Sequence, residues 1–170
     1  MTFYQLTKER YSLRKFADRP VEEEILQQIL EAGRTAPSAK NLQPHRIAVV
    51  QSAEALAKLR GYNRNAFNAP VVLLVCGVRE EGWVNPFNGR NSTEMDASIV
   101  ATQMMLQATE LGLGTTWACW FDTEAIKSVL DLPSGWEPFL MLPLGYPAED
   151  AKPSSSHSSR KALDETVIRL

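Results

Sequence analysis

Residues 93–111 place the tightest constraint on what this chain can become. Met95, Ile99, Val100, Met104, Met105, Leu106, Ala108 and Leu111 recur at helical spacing, yet they run almost all the way round the helix. A helix apolar on most faces lies inside a core or against another subunit, whereas a surface helix carries one stripe. Gly112 and Gly114 follow and end it. The second constraint is Pro70 to Val78, a continuous apolar run bounded by Pro70 and Gly77. Such a run reads as a buried strand. Any fold must cover both segments on more than one side.

The remaining elements follow from period and punctuation. Val21, Ile25, Leu26, Ile29 and Leu30 keep a 3.6 period, which predicts a helix over 21–34. Glu22, Glu23 and Glu24 sit in its first turn, where the helix dipole favours anions. Pro37 stops it. Ile47 to Val50 reads as a short buried strand, and Ser52 as the cap of a helix through Leu59. Thr115 to Phe121 reads as strand and turn, and Asp122 as the cap of a helix to Leu130. Phe139 to Leu144 reads as another strand, with Pro143 suggesting an edge or a bulge. Pro153 to Ser159 reads as a flexible connection to the C-terminal tail. Helices and strands mix without strict alternation, so the expected class is α+β in a single domain over 1–170.

Composition removes several functions. The net charge is −2, which gives no reason to expect nucleic acid or an anionic membrane as partner. No apolar run is long enough to span a bilayer. Cys76 and Cys119 sit in apolar segments without a C-x-x-C pairing, so both read as reduced core thiols in a cytoplasmic protein. His45 and His157 lack metal-ligand spacing with other donors.

Two segments carry chemistry. Arg10-Tyr11-Ser12-Leu13-Arg14 puts two guanidiniums and a hydroxyl within five residues. Arginine matches phosphate bidentately and keeps its charge, although surface arginines beside Glu9 and Asp18 would read the same. The turn Pro37 to Pro44 places Ser38, Asn41 and Gln43 between two prolines. Prolines preorganise such a turn for a ligand, and an ordinary helix–strand loop fits as well. Gly112-Leu113-Gly114 begins like a dinucleotide fingerprint but follows a helix instead of a strand, so a helix cap is the better reading. Met104 and Met105 read as core, and Arg160-Lys161 as a solvated basic pair unless a phosphate needs another cation.

Taken together, the chain resembles the nitroreductase family of FMN-dependent oxidoreductases. The resemblance runs through Arg10-x-Ser12-x-Arg14-x-Phe16 and Ala36-Pro37-Ser38-Ala39-x-Asn41-x-Gln43-Pro44. It continues through Ala69-Pro70-Val71-Val72, Asp96-Ala97-Ser98-Ile99 and Leu111-Gly112-Leu113-Gly114-Thr115-Thr116-Trp117. It closes with Leu144-Gly145-Tyr146-Pro147 and Arg160-Lys161-x-Leu163-x-Glu165.

The resemblance implies an α+β homodimer, with a mixed or antiparallel sheet flanked by helices and FMN at the subunit interface. It places Arg10, Tyr11 and Ser12 at the phosphate and ribityl end, with Arg160 on the phosphate and Arg14 at the N1/O2 edge. Pro37, Ser38, Ala39 and Asn41 come from the opposite subunit. Asn63 adds a polar contact, and Trp117, Ala118, Cys119 and Trp120 line one ring face. No side chain is implied as nucleophile or general acid. The implied activity is reduction of nitroaromatics, quinones or similar acceptors with NADH or NADPH, by a ping-pong hydride mechanism. A flavin-binding module without efficient turnover remains an alternative, as do dehalogenation and flavin breakdown on the same scaffold. His45 stands where relatives place an aromatic residue, Ser158 where many place a second cation, and the loop 80–91 is short.

Overall fold

The computed structural model describes residues 1–170. Helices α1 (Phe3–Glu9) and α2 (Glu23–Arg34) precede strand β1 (His45–Val50), helix α3 (Ala53–Tyr62) and strand β2 (Val71–Gly77). Helix α4 (Thr93–Glu110), strand β3 (Gly114–Thr115), helix α5 (Thr123–Val129), strand β4 (Glu137–Gly145) and helix α6 (Leu163–Thr166) follow. The sheet order is β1-β2-β4-β3, and every pairing is antiparallel.

Strand β2 explains its own unbroken hydrophobicity. Successive side chains point to opposite faces. Val71, Leu73 and Val75 pack with Leu26, Ile29, Val100 and Met104 of α2 and α4. Val72, Leu74 and Cys76 pack with Leu56, Leu59 and Ile126 of α3 and α5. Helices therefore cover both faces of the sheet, and no β2 position is left for a polar residue. Burial pushes the Cys76 thiol up to about 12. Cys119 departs from the expectation of a core thiol: it is exposed, because it follows Ala118 into a loop outside the sheet.

Strand β4 lies inside the sheet, between β2 and β3, so Pro143 marks no edge. Ala118 and Met141 exchange both backbone bonds, which fixes that side of β4 as the one facing β3. Pro143, two residues on, presents its missing N–H to the same side. There the partner strand is interrupted between Ala118 and Gly114–Thr115. The strand and turn expected at 115–121 accordingly comprise the end of β3, one bridge at Ala118 and a loop.

Helix α2 starts two residues later than its apolar period suggests. Glu22 is outside it, where it accepts from Tyr146 Oη and Arg19. Helix α4 ends in a Schellman motif: Leu113 N–H donates to Ala108 O and Gly112 N–H to Thr109 O, with Gly112 at φ +81°. Ser52 and Asp122 cap α3 and α5 through Ala55 N–H and Ala125 N–H.

Helices α2 and α4 cross at Gly33. A Cβ there would lie 2.8 Å from Met104 Cγ and 3.3 Å from Val100 Cγ1. Gly33→Val is expected to cost about 2 kcal/mol by overpacking. A urea midpoint that falls without a change in slope checks it.

Helix α4 turns Val100, Ala101, Met104 and Ala108 inward. Met95 and Ile99 are 59% and 36% exposed on its outer side. The C-terminal tail likewise leaves Leu163, Val167 and Ile168 exposed. No helix is long and apolar enough to cross a membrane.

Candidate functional site

The arginine strip is set by its neighbours on both sides. Thr2 and Gln5 form a capping box that starts α1. The helix ends at Arg10, whose N–H donates to Leu6 O. Leu13 then turns inward, and its N–H donates to Thr115 O at 2.9 Å. Gly114 makes room for it, since a Cβ there would lie 2.5 Å from Leu13 Cδ2. Ser12 bridges Thr115 in parallel, so the strip rides along β3. Arg10 is half-buried and donates to Met105 Sδ at 3.9 Å, so Met105 is only partly core. Arg14 stays exposed, with Nη1 on Ser12 O.

Arg160 comes back to this strip from the far end of the chain. Its Nη1 donates to His157 O and Ser159 O, both at 2.6 Å. Burial first, and then the charge of Arg160, hold the Arg10 guanidinium below its ordinary value. Neither residue, nor Arg14, has a carboxylate partner. Arg10 leaves the end of α1 on which the Arg160 segment docks through His157, so both cations serve one end of that helix with no acid between them, a disposition that suits an anion of two or more charges.

The turn after α2 is a different construction. Lys40, Asn41 and Gln43 all have φ between 51° and 56°. Non-glycine residues adopt this region at a cost, so anchors are needed. Ser38 Oγ accepts from Gln43 N–H at 3.0 Å, and Gln43 Nε2 donates to Asn41 O. The anchor to the body is Asp96 in the first turn of α4, only 3% exposed. Its Oδ1 accepts from Ala39 N–H at 2.9 Å and its Oδ2 from Ser92 Oγ at 2.7 Å. Ser92 Oγ in turn accepts from Trp83 N–H. Asp96 appears in the sequence only as part of the family resemblance. Its structural role has no local signal, because its partner lies 57 residues away.

Asp96→Ala strands the Ala39 N–H and the Ser92 hydroxyl. It is expected to cost about 3 kcal/mol, in the range for buried hydrogen bonds to a charged group. Asp96→Asn keeps the acceptor for Ala39 and is expected to cost less than half as much in the same denaturation measurement.

The loop Trp117–Trp120 is pinned at two points. Ala118 is held on Met141 of β4, and Trp120 O accepts from Asn63 Nδ2 at 2.6 Å. Asn63 Oδ1 accepts from Asn65 N–H, so both ends of this amide tie the 63–65 turn to the loop. Trp117 Nε1 donates to Cys119 Sγ, and Trp120 is 86% exposed. A cavity of about 600 Å³ lies beside the loop, lined by Asn63, Arg64, Asn65, Cys119, Trp120 and Asp122 among others.

Within the chain, Arg10, Ser12 and Arg14 belong to the strip that runs along β3, the Trp117 loop follows β3, and Arg160 docks at the α1 end from which the strip departs. Pro37, Ser38, Ala39 and Asn41 do not join them. Arg10 rests on Met105 and Ala39 on Asp96, nine residues apart on α4. That separation is about 14 Å along the helix axis.

A family model described as the nitroreductase family matches residues 7–62 and 58–146, from α1 through β4. The chain belongs to the nitroreductase family. A nitroreductase family protein of Clostridium difficile superposes with a TM-score of 0.91 at 41% identity, covering 99% of this chain and 98% of that one. An FMN-dependent nitroreductase of Clostridium difficile R20291 does so at 0.79 and 29% identity, covering 98% of each. An NADH dehydrogenase of Thermus thermophilus is 32% identical, covering 94% of this chain and 91% of its own. The architecture is thus the α+β nitroreductase fold. The match to the family model stops at Tyr146, so the segment carrying His157 and Arg160 lies beyond it.

Proposed function

We propose that this nitroreductase-family chain is an FMN-dependent NAD(P)H oxidoreductase acting on nitroaromatics, quinones or similarly electron-poor small molecules. The observation that carries the reading is that Arg10 and Arg160, neither with a carboxylate partner, are brought to the same end of α1, Arg160 through His157, whose Nε2 meets Lys8 O. The residues fit the group. A phosphate meets two guanidiniums, and the ring meets the exposed indoles of Trp117 and Trp120. The names of the Clostridium and Thermus relatives support both cofactor and donor class.

A bound FMN would supply the hydride-accepting and electron-transferring chemistry between NADH or NADPH and the acceptor. The chain supplies position and charge. Arg10 and Arg160 would hold the phosphate, and Tyr11 and Ser12 would meet the ribityl chain. Asn63 holds the Trp117–Trp120 loop to the scaffold, so that its indoles are presented in one place. Arg14 places an unpaired cation near the ring. Its charge raises the potential of a bound flavin, because reduction adds negative charge. A surviving ~1.4 kcal/mol corresponds to about 30 mV for a two-electron couple. Arg14→Ala is therefore expected to lower the potential of the bound flavin by about that amount and to slow reduction by the nicotinamide. Spectroelectrochemistry and stopped-flow absorbance read the two effects.

The assembly is a homodimer in this reading. Exposed Met95 and Ile99 on α4, with the apolar tail, need a cover that one chain does not provide. The turn Pro37–Asn41 then reaches the flavin held by the opposite subunit's arginines. Steady-state NAD(P)H oxidation by the FMN-loaded protein with a quinone tests the activity. Robust turnover is expected; bound FMN without turnover would reduce the protein to a flavin-binding module.

A further inference from the structure

We infer that His157 is a latch that delivers Arg160 to the flavin phosphate, making it a positioning residue for the phosphate end of the ligand. The inference rests on the flavin reading above. Residues 152–170 make one hydrogen bond to the rest of the chain, between His157 Nε2 and Lys8 O at 3.1 Å. A carbonyl oxygen only accepts, so Nε2 carries the proton and donates. The same imidazole meets the Tyr11 ring edge-on, with centroids 6.2 Å apart and planes at 74°. No ion pair ties this tail down.

The attachment point is telling. Lys8 is in the last turn of α1, where carbonyls lack partners within the helix. An imidazole donor there satisfies one of them and suits the negative end of the helix dipole. Arg10 leaves the same helix end two residues later. Behind the latch, His157 N–H donates to Ser154 O and Ser159 N–H to Ser156 O, which folds the serine-rich segment into successive turns. Arg160 Nη1 is clamped to the carbonyl of His157 itself. The ring that docks the tail and the carbonyl that aims the guanidinium thus belong to one residue. The connection expected at Pro153–Ser159 folds into turns with a single fastening to the body.

Charge sets the direction of the coupling. Latching brings Arg160 up to Arg10, and the two cations oppose each other. A phosphate between them turns that opposition into attraction. Tail docking and phosphate binding therefore favour each other, as linkage requires. A flavin without the phosphate gains nothing from the latch.

The experiment compares FMN with riboflavin on the full-length protein stripped of flavin. His157→Ala is expected to weaken FMN about tenfold, the effect of losing roughly one hydrogen bond's worth of closure, and to leave riboflavin affinity unchanged. His157→Gln, whose amide can donate to Lys8 O, restores most of the FMN affinity. The double variant His157→Ala/Arg160→Ala binds FMN no more weakly than Arg160→Ala alone, because the latch acts through Arg160. Equal weakening of both flavins by His157→Ala overturns the inference, as does additivity in the double variant. If Arg160→Ala weakens FMN selectively while His157→Ala does not, the flavin site stands and the latch falls. If the unaltered protein does not prefer FMN to riboflavin, both fall together.

Discussion

Arg10→Ala is expected to weaken FMN binding about a hundredfold, near the upper end for one charge-assisted contact. The guanidinium is half-buried, keeps close company with Arg160 and has no acid to neutralise it. In the proposed reading its removal takes away a phosphate partner, while no carboxylate inside the protein is left unpaired. The fold therefore keeps its stability while the ligand is lost, which is the opposite of what a structural arginine does. Arg10→Lys keeps the charge without the planar fork and should lie between the two, at roughly a tenfold loss. Flavin fluorescence titration measures the affinities, and a urea midpoint for the flavin-free protein measures the stability. An affinity for FMN unchanged in Arg10→Ala would mean that the arginine strip does not hold the phosphate.

The second large effect concerns which chain contributes what. One variant carries Arg10→Ala and Arg160→Ala, and the other carries Ala39→Trp, which thickens the turn where it is to meet the ring. Each homodimer is expected to bind no FMN at micromolar concentration. Mixed dimers are expected to regain one site of two, because one subunit keeps intact arginines and its partner an intact turn. A site built within one chain would regain none, since every chain carries a defect. The expectation follows from the separation on α4, where the arginine strip docks at Met105 and the turn at Asp96. Occupancy per dimer after mixing, read by absorbance against protein concentration, decides between the two arrangements.

Much of the scaffold is legible in the amino-acid sequence because its signals are local. The Schellman end of α4 is announced by Gly112, and the caps of α3 and α5 by Ser52 and Asp122. Strand β2 is legible because both its faces are buried, which leaves an unbroken apolar run. Helix α1 escapes notice because it is seven residues long with only Leu6 buried, while Phe3 and Tyr4 stand exposed. The central place of β4 is hidden by Pro143, whose missing donor falls in a gap that only the three-dimensional pairing reveals. Cys119 reads as core because its neighbours are apolar, but the chain leaves the sheet at Ala118. The candidate site divides the same way. Arg10, Ser12 and Arg14 are close together in sequence and stay together in space. Asp96 and His157 act on partners 57 and 149 residues away, and no spacing rule connects them to the turn or to α1.

The central claim is that a nitroreductase-family chain with paired, acid-free arginines carries a working FMN. The most direct measurement is the visible spectrum of the purified protein, taken before and after anaerobic addition of NADPH and, separately, NADH. A yellow protein whose flavin absorption band bleaches on adding at least one nicotinamide, and returns with a quinone, is the expected result. A colourless protein that takes up no added FMN would contradict it.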